Sequence, residues 1–222
     1  MNEIIQAIAV YALPVIFAIT LHEAAHAYAA KYFGDNTAYA LGRMSMNPLR
    51  HIDPIGTILL PALVFMTSSK MGYPMLFGYA KPVPVDYGRL RNPKKQMAFV
   101  ALAGPLMNLA MAFGWVVFAL LLAATHVSES YPYAVARAGL MVNAMICAFN
   151  LIPLPPLDGS RVVASILPNR LAAQYYKIEP YGIFILLGLL VTHVLDPMIL
   201  SMAEWTRDLA FLMATPLIYL LS

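Results

Sequence analysis

Within an otherwise apolar stretch, three ionisable residues fall inside five positions: His22-Glu23-Ala24-Ala25-His26. On a helix, positions i and i+4 share a face. Both imidazoles can therefore reach one ion, while Glu23, about 100° round the axis, sits beside it. That is the equipment for hydrolysis at a divalent ion: two imidazoles to bind zinc and a carboxylate to take a proton from water. The competing account is a pair of packed core histidines neutralised by a glutamate. Burying such a trio without an ion costs several kcal/mol of desolvation, which disfavours it.

The elements that must position these groups are membrane helices. Of the 222 residues, 61% are apolar and only 11% are charged, against about 45–50% and about 25% in ordinary soluble domains. A mean hydropathy of +0.70 excludes a disordered tail and a nucleic-acid module. Cys147 is the single cysteine, which excludes a disulfide scaffold. The Met-Asn-Glu start lacks the basic region of a signal peptide, so the first helix is expected to be retained. Spanning runs of about 20 residues are expected over 4–31, with a possible kink at Pro14, and over 96–125 and 133–157. Accessory spans are expected over 180–195 and 197–221, the last interrupted by Glu204, Arg207 and Asp208.

The run 54–67 is short, contains Pro54 and Pro61, and has basic segments on both sides. Because short basic loops stay in the cytoplasm, a single crossing there would strand one of them outside, so the run is read as re-entrant. The expectation is one integral-membrane domain over 1–222, all-α and polytopic, with five to six membrane segments around a three-helix core. It places the N-terminus outside, and Lys31, Asp158 and Arg161 on the cytoplasmic side of a multi-pass cell-membrane protein. A reporter fused at residue 69 tests this topology, which requires it to lie inside. Counting from Lys31 at about 1.5 Å per residue puts His22 roughly 14 Å below the cytoplasmic boundary.

Catalytic zinc usually takes three protein ligands. Of the remaining candidates, His126 and His193 fall near the outer ends of their segments. Cys147 reads as packing, since free cysteine is commonly buried. His51, in Arg50-His51-Ile-Asp53-Pro54, has the look of a solvated turn. Asp158 follows the third span among prolines and a glycine that unwind the helix and let a carboxylate turn inward. It is the best third ligand, with a turn or N-cap role before Ser160 as the alternative.

Three motifs in order now bear a resemblance: His22–His26, Gly104-Pro-Leu-Met-Asn108, and Asn150-Leu-Ile-Pro-Leu-Pro-Pro-Leu-Asp158-Gly159. Together they resemble the site-2 proteases, in a compact form with no room for a PDZ or CBS domain. The resemblance implies an intramembrane zinc metalloprotease with one Zn2+ per chain, held by His22, His26 and Asp158, and with Glu23 as catalytic base. It implies that Asn150 positions substrate or steadies the oxyanion. Gly104 and Asn108 match a GxxxN helix element, where small and amide groups permit close helix contact; packing and catalysis are equally open roles for Asn108.

The stretch 72–86 mixes Gly, Pro, aromatic and β-branched residues. The resemblance suggests a membrane-associated β-hairpin here, whose edge could hold an extended substrate by strand addition. An irregular basic loop on anionic lipid is the alternative. Val83→Pro is expected to impair cleavage more than membrane insertion. The partners implied are a transmembrane protein substrate and the bilayer, not nucleic acid. A metal transporter or metal-binding membrane protein is the rival class; its ligands would be stacked at successive depths.

Overall fold

A computed structural model describes residues 2–59, 81–125 and 131–221. Every regular element among them is helical. Helix α1 (Asn2–Phe33) runs without a break through Pro14 and is followed by a single turn, α2 (Thr37–Ala40). Short helical turns occupy Pro48–Arg50, Pro54–Leu59 and Tyr87–Arg89. Then come α3 (Pro93–Ala124), α4 (Tyr131–Asn150), α5 (Asp158–Ile166), α6 (Asn169–Tyr176), α7 (Glu179–Val191) and α8 (Asp196–Leu221).

Among the described residues, three helical stretches are long and apolar enough to cross a bilayer: Ile5–Phe33, Pro93–Ala124 and Tyr131–Asn150. The protein is a membrane protein. These three helices pack on one another, with α5 against α3 and with α8 across α3 and α4. Between apolar tails, helices gain little from burying more apolar surface, so close backbone approach through small residues must hold them. The buried positions fit this: Ala18, Ala24 and Ala27 on α1, Ala101 and Ala112 on α3, Ala136, Ala144 and Ala148 on α4, and Ala210 and Ala214 on α8.

Two expectations are corrected. The third span stops at Asn150 rather than 157, and residues 151–157 form tight turns, because Pro153, Pro155 and Pro156 withhold the amides a helix needs. The segment expected to span over 180–195 is the 13-residue α7, about 20 Å long, too short to cross alone. It bends by 91° into α8, so the two make at most one broken span or a re-entrant loop. The run 54–67 and the proposed hairpin fall largely in 60–80, outside the described residues. Residues 81–86 form no helix and no strand, with Asp86 itself in an extended conformation.

Helix α1 ends at Gly34, whose φ of 115° is a conformation that favours glycine. The next residue, Asp35, is fully buried. It accepts hydrogen bonds from the Thr37 amide at 2.9 Å, the Thr37 hydroxyl, and the Asp86 amide at 2.8 Å. Burial raises its pKa, but these three donors outweigh burial and hold the carboxyl below its usual range. A depressed folded value means that its contribution is present above the unfolded pKa, near 3.9, and is lost as pH falls through the folded one. Asp35→Ala is expected to cost about 2 kcal/mol at neutral pH, with the gap from the parent closing below about pH 4. Denaturation in detergent across that range measures it.

Candidate metal centre

His22 and His26 project from α1, one turn apart, into the seam with α3, and both are buried. Their Nε2 atoms lie 3.0 Å apart. Asp158, the first residue of α5, places its Oδ2 at 3.1 Å from His22 Nε2 and 3.2 Å from His26 Nε2. This is the one such cluster of potential metal ligands among the described residues.

The loop before α5 is built to deliver that carboxylate. The Leu154 amide bonds Ile152 O at 2.8 Å, the Leu157 amide bonds Leu154 O at 2.9 Å, and the Ser160 hydroxyl donates to Leu157 O at 2.6 Å. Gly159 lets the first turn of α5 lie on the Leu151 carbonyl, where a Cβ would collide. Gly182 does the same for α7 against Pro155 O.

Protons decide what the trio can hold. His22 Nδ1 lies 2.6 Å from Asn108 Oδ1, and His26 Nδ1 lies 2.7 Å from Val100 O. A carbonyl oxygen only accepts, so each Nδ1 carries the hydrogen and each neutral ring turns a lone pair outward at Nε2. Two nitrogen lone pairs and a carboxylate oxygen thus converge without a donor between them. Asp158 Oδ2 is buried with no hydrogen-bond partner. One added proton could bridge one pair of these atoms, whereas one divalent cation serves all three. Ligand atoms around tetrahedral zinc sit roughly 3.3 Å apart, close to the spacings seen here. The residues fit the ion.

Helix α3 closes the other side. A Cβ on Gly104 would fall 2.5 Å from His22 Cε1 and 2.6 Å from His22 Nε2, and would collide with His26 Nε2. Glu23, half-buried beside the trio, accepts a hydrogen bond of 2.7 Å at Oε2 from the backbone amide of Val83. Near Asp158, the Arg161 guanidinium lies 5.0 Å over the Tyr87 ring and 3.8 Å from Glu179. Burial, opposed by Arg161 and reinforced by the charge on Asp158, pushes the Tyr87 phenol up to about 12, so it stays protonated at neutral pH.

Of the other candidates, Asn150 donates its amide to Ile146 O on its own helix at 3.0 Å. His51 is 2% exposed rather than solvated, and donates from Nε2 to Ser45 O at 2.7 Å. It is a packed loop residue because the loop folds back over it. Cys147 is buried, and His193 pairs with Asp196 at 2.7 Å in the turn between α7 and α8. His126 lies outside the described residues. Spacing within the sequence did not reveal the Val83 amide, the Val100 carbonyl or a second buried asparagine, Asn143. For Asn143 a signal existed, since a primary amide in a membrane helix is costly unless it is bonded.

A Bacillus subtilis protein named "Putative zinc metalloprotease YwhC" is 36% identical over 199 residues, covering 84% of this chain and 84% of the relative. The chain belongs to this zinc metalloprotease family. Two further members are named "Putative zinc metalloprotease Rip2". That of Mycolicibacterium smegmatis is 29% identical over 87% of this chain and 71% of its own length. That of Mycobacterium tuberculosis H37Rv is 28% identical over 88% and 71%. No family model matches the chain, and no solved structure does. As a zinc metalloprotease of this family it requires zinc, and the trio is the cluster among the described residues suited to bind it.

Proposed function

We propose that this metalloprotease is of the site-2 type, cutting peptide bonds in or near transmembrane segments of membrane-protein substrates. The single observation that carries this reading is the meeting of His22, His26 and Asp158 inside the seam of spanning helices, with Glu23 alongside. In this reading the three would hold one zinc, in a multi-pass protein of the cell membrane, with the site opening toward the cytoplasm. The basic Lys31, Arg89, Arg91, Lys94 and Lys95 gather at the ends of α1 and α3 nearest the site and support that orientation. Metal ligands stacked at other depths, as a transporter would need, are not seen among the described residues.

When bound, zinc lowers the pKa of water toward 7 and polarises a carbonyl. Glu23 takes the proton and returns it to the leaving amine; the Val83 amide holds Oε2 and leaves Oε1 for the exchange. Asn108 and Val100 O keep both imidazoles in the tautomer that binds metal. Asn150 is placed after the resemblance as an oxyanion or substrate contact: one N–H of its Nδ2 donates to Ile146 O, and the second is the donor that contact would use. A scissile bond inside a helix is already hydrogen-bonded, so substrates with helix-weak segments should be cut preferentially.

Co-expression with candidate single-span proteins, comparing the parent with Glu23→Gln and identifying fragments by mass spectrometry, tests this function. Fragments that appear equally with both would refute it. Val83→Pro probes the base directly. It deletes the amide donor at a position already confined by Pro82 and Pro84, since a residue before proline favours the extended region. A bond to a charged acceptor is worth about 1.5–3 kcal/mol, so turnover is expected to fall about 10- to 100-fold at unchanged zinc content and membrane insertion. Equal losses in all three would mean that the segment acts only in folding.

A further inference from the structure

A chain of buried amides leads away from His22 toward α4. Asn108 Oδ1 accepts from His22 Nδ1, and Asn108 Nδ2 donates to Ala18 O at 3.3 Å and to Asn143 Oδ1 at 3.0 Å. Asn143 Nδ2 in turn donates to Gly139 O at 2.8 Å. Both asparagines are fully buried. Ala18 O and Gly139 O are backbone carbonyls and can only accept, so they fix which way each amide faces. The polarity then runs in one direction: Gly139 O orients Asn143, Asn143 Oδ1 orients Asn108, and Asn108 Oδ1 demands a proton on His22 Nδ1. The Nε2 lone pair is left facing Asp158 and His26.

We propose that Asn143 is a positioning residue for the metal centre, which through Asn108 locks His22 in its Nδ1-protonated, metal-binding tautomer. This rests on the reading of the trio as the zinc site. The contact with Ala18 O is long, so Asn143 Oδ1 is the main acceptor that keeps Asn108 from turning over. A reversed Asn108 amide would present N–H groups to His22 Nδ1. The ring would then have to accept there and carry its hydrogen on Nε2, the atom that should face the ion. Asn143 touches neither the trio nor Glu23 in any of these bonds, and its effect is transmitted only through Asn108.

The test is zinc affinity of the purified full-length protein, measured by competition with a chelator, for the parent, Asn143→Leu, Asn143→Ala and Asn143→Asp. Asp is isosteric and keeps an oxygen to accept from Asn108; its second oxygen, protonated in this buried setting, donates to Gly139 O. Leu and Ala keep neither group. The expected order is parent and Asn143→Asp within about threefold of each other, and Asn143→Leu and Asn143→Ala weaker by about 10- to 100-fold, the usual loss when a ligand's orienting partner is removed. Packing alone would rank them the other way, with apolar Leu above a carboxyl group. Binding by Asn143→Leu equal to or tighter than that of Asn143→Asp overturns the proposal. If the apolar variants do not fold, Asn143→Asp decides, since a folded variant that has lost zinc overturns it and one that retains zinc upholds it. A parent that takes up no zinc would instead bring down the zinc-site reading on which the proposal stands.

Discussion

Glu23→Gln is expected to keep zinc at the parental level and to lower turnover by about 10³-fold, within the usual range for losing a general base. The amide side chain has the same shape, and its Oε1 can still accept from the Val83 N–H that now meets Glu23 Oε2 at 2.7 Å. What it cannot do is exchange a proton. Asp158→Ala should behave differently and lose zinc as well as turnover, because it removes one of three converging ligand atoms. Zinc content by elemental analysis and cleavage of a model transmembrane substrate, measured on the same preparations, separate the two roles. A Glu23→Gln protein that still cut its substrate at the parental rate would remove Glu23 from the chemistry.

Gly104→Ala is expected to weaken zinc binding by about 10- to 100-fold, although the residue carries no ligand. One methyl group there would press on both imidazoles. Neither ring can give way, since His22 is tied to Asn108 and His26 to Val100 O at their other nitrogens. Either the rings splay or α3 moves off α1, and overpacking of this kind costs roughly 1–3 kcal/mol. Gly114 on the same helix is the control, since a methyl group added there would meet nothing within 4 Å. Gly114→Ala should leave zinc binding unchanged and, by helix propensity, stabilise by up to about 1 kcal/mol. Chelator competition on both variants reads the contrast, and equal affinities would mean that the seam is looser than these distances imply.

The trio itself was legible because its information is local or nearly so. Helical spacing alone puts His22 and His26 on one face, and prolines ahead of Asp158 announce a place where the chain must turn. Hydropathy was a poorer guide to where helices stop. Leu151, Ile152 and Leu154 look like span residues to any sliding average, yet the neighbouring prolines end α4 at Asn150. The same blindness merged α7 into a span, since an apolar sum does not register a 91° bend at the turn containing His193 and Asp196. The supporting contacts were hidden for another reason. Gly104, read as a helix-contact glycine, is where α3 clears the two imidazoles, and Val83 serves through its backbone, which every residue type but proline supplies alike.

The strap from Lys81 to Asp86 is pinned at each stage. The Lys81 amide bonds His51 O at 3.0 Å, Arg43 reaches Lys81 O at 2.8 Å, Val83 bonds Glu23, and Asp86 bonds Asp35. Its register over α1 is therefore set by its own anchors and not by whatever sequence leads into it. Changes to the sequence ahead of the first anchor are thus expected to leave the Val83 amide on the Glu23 carboxylate.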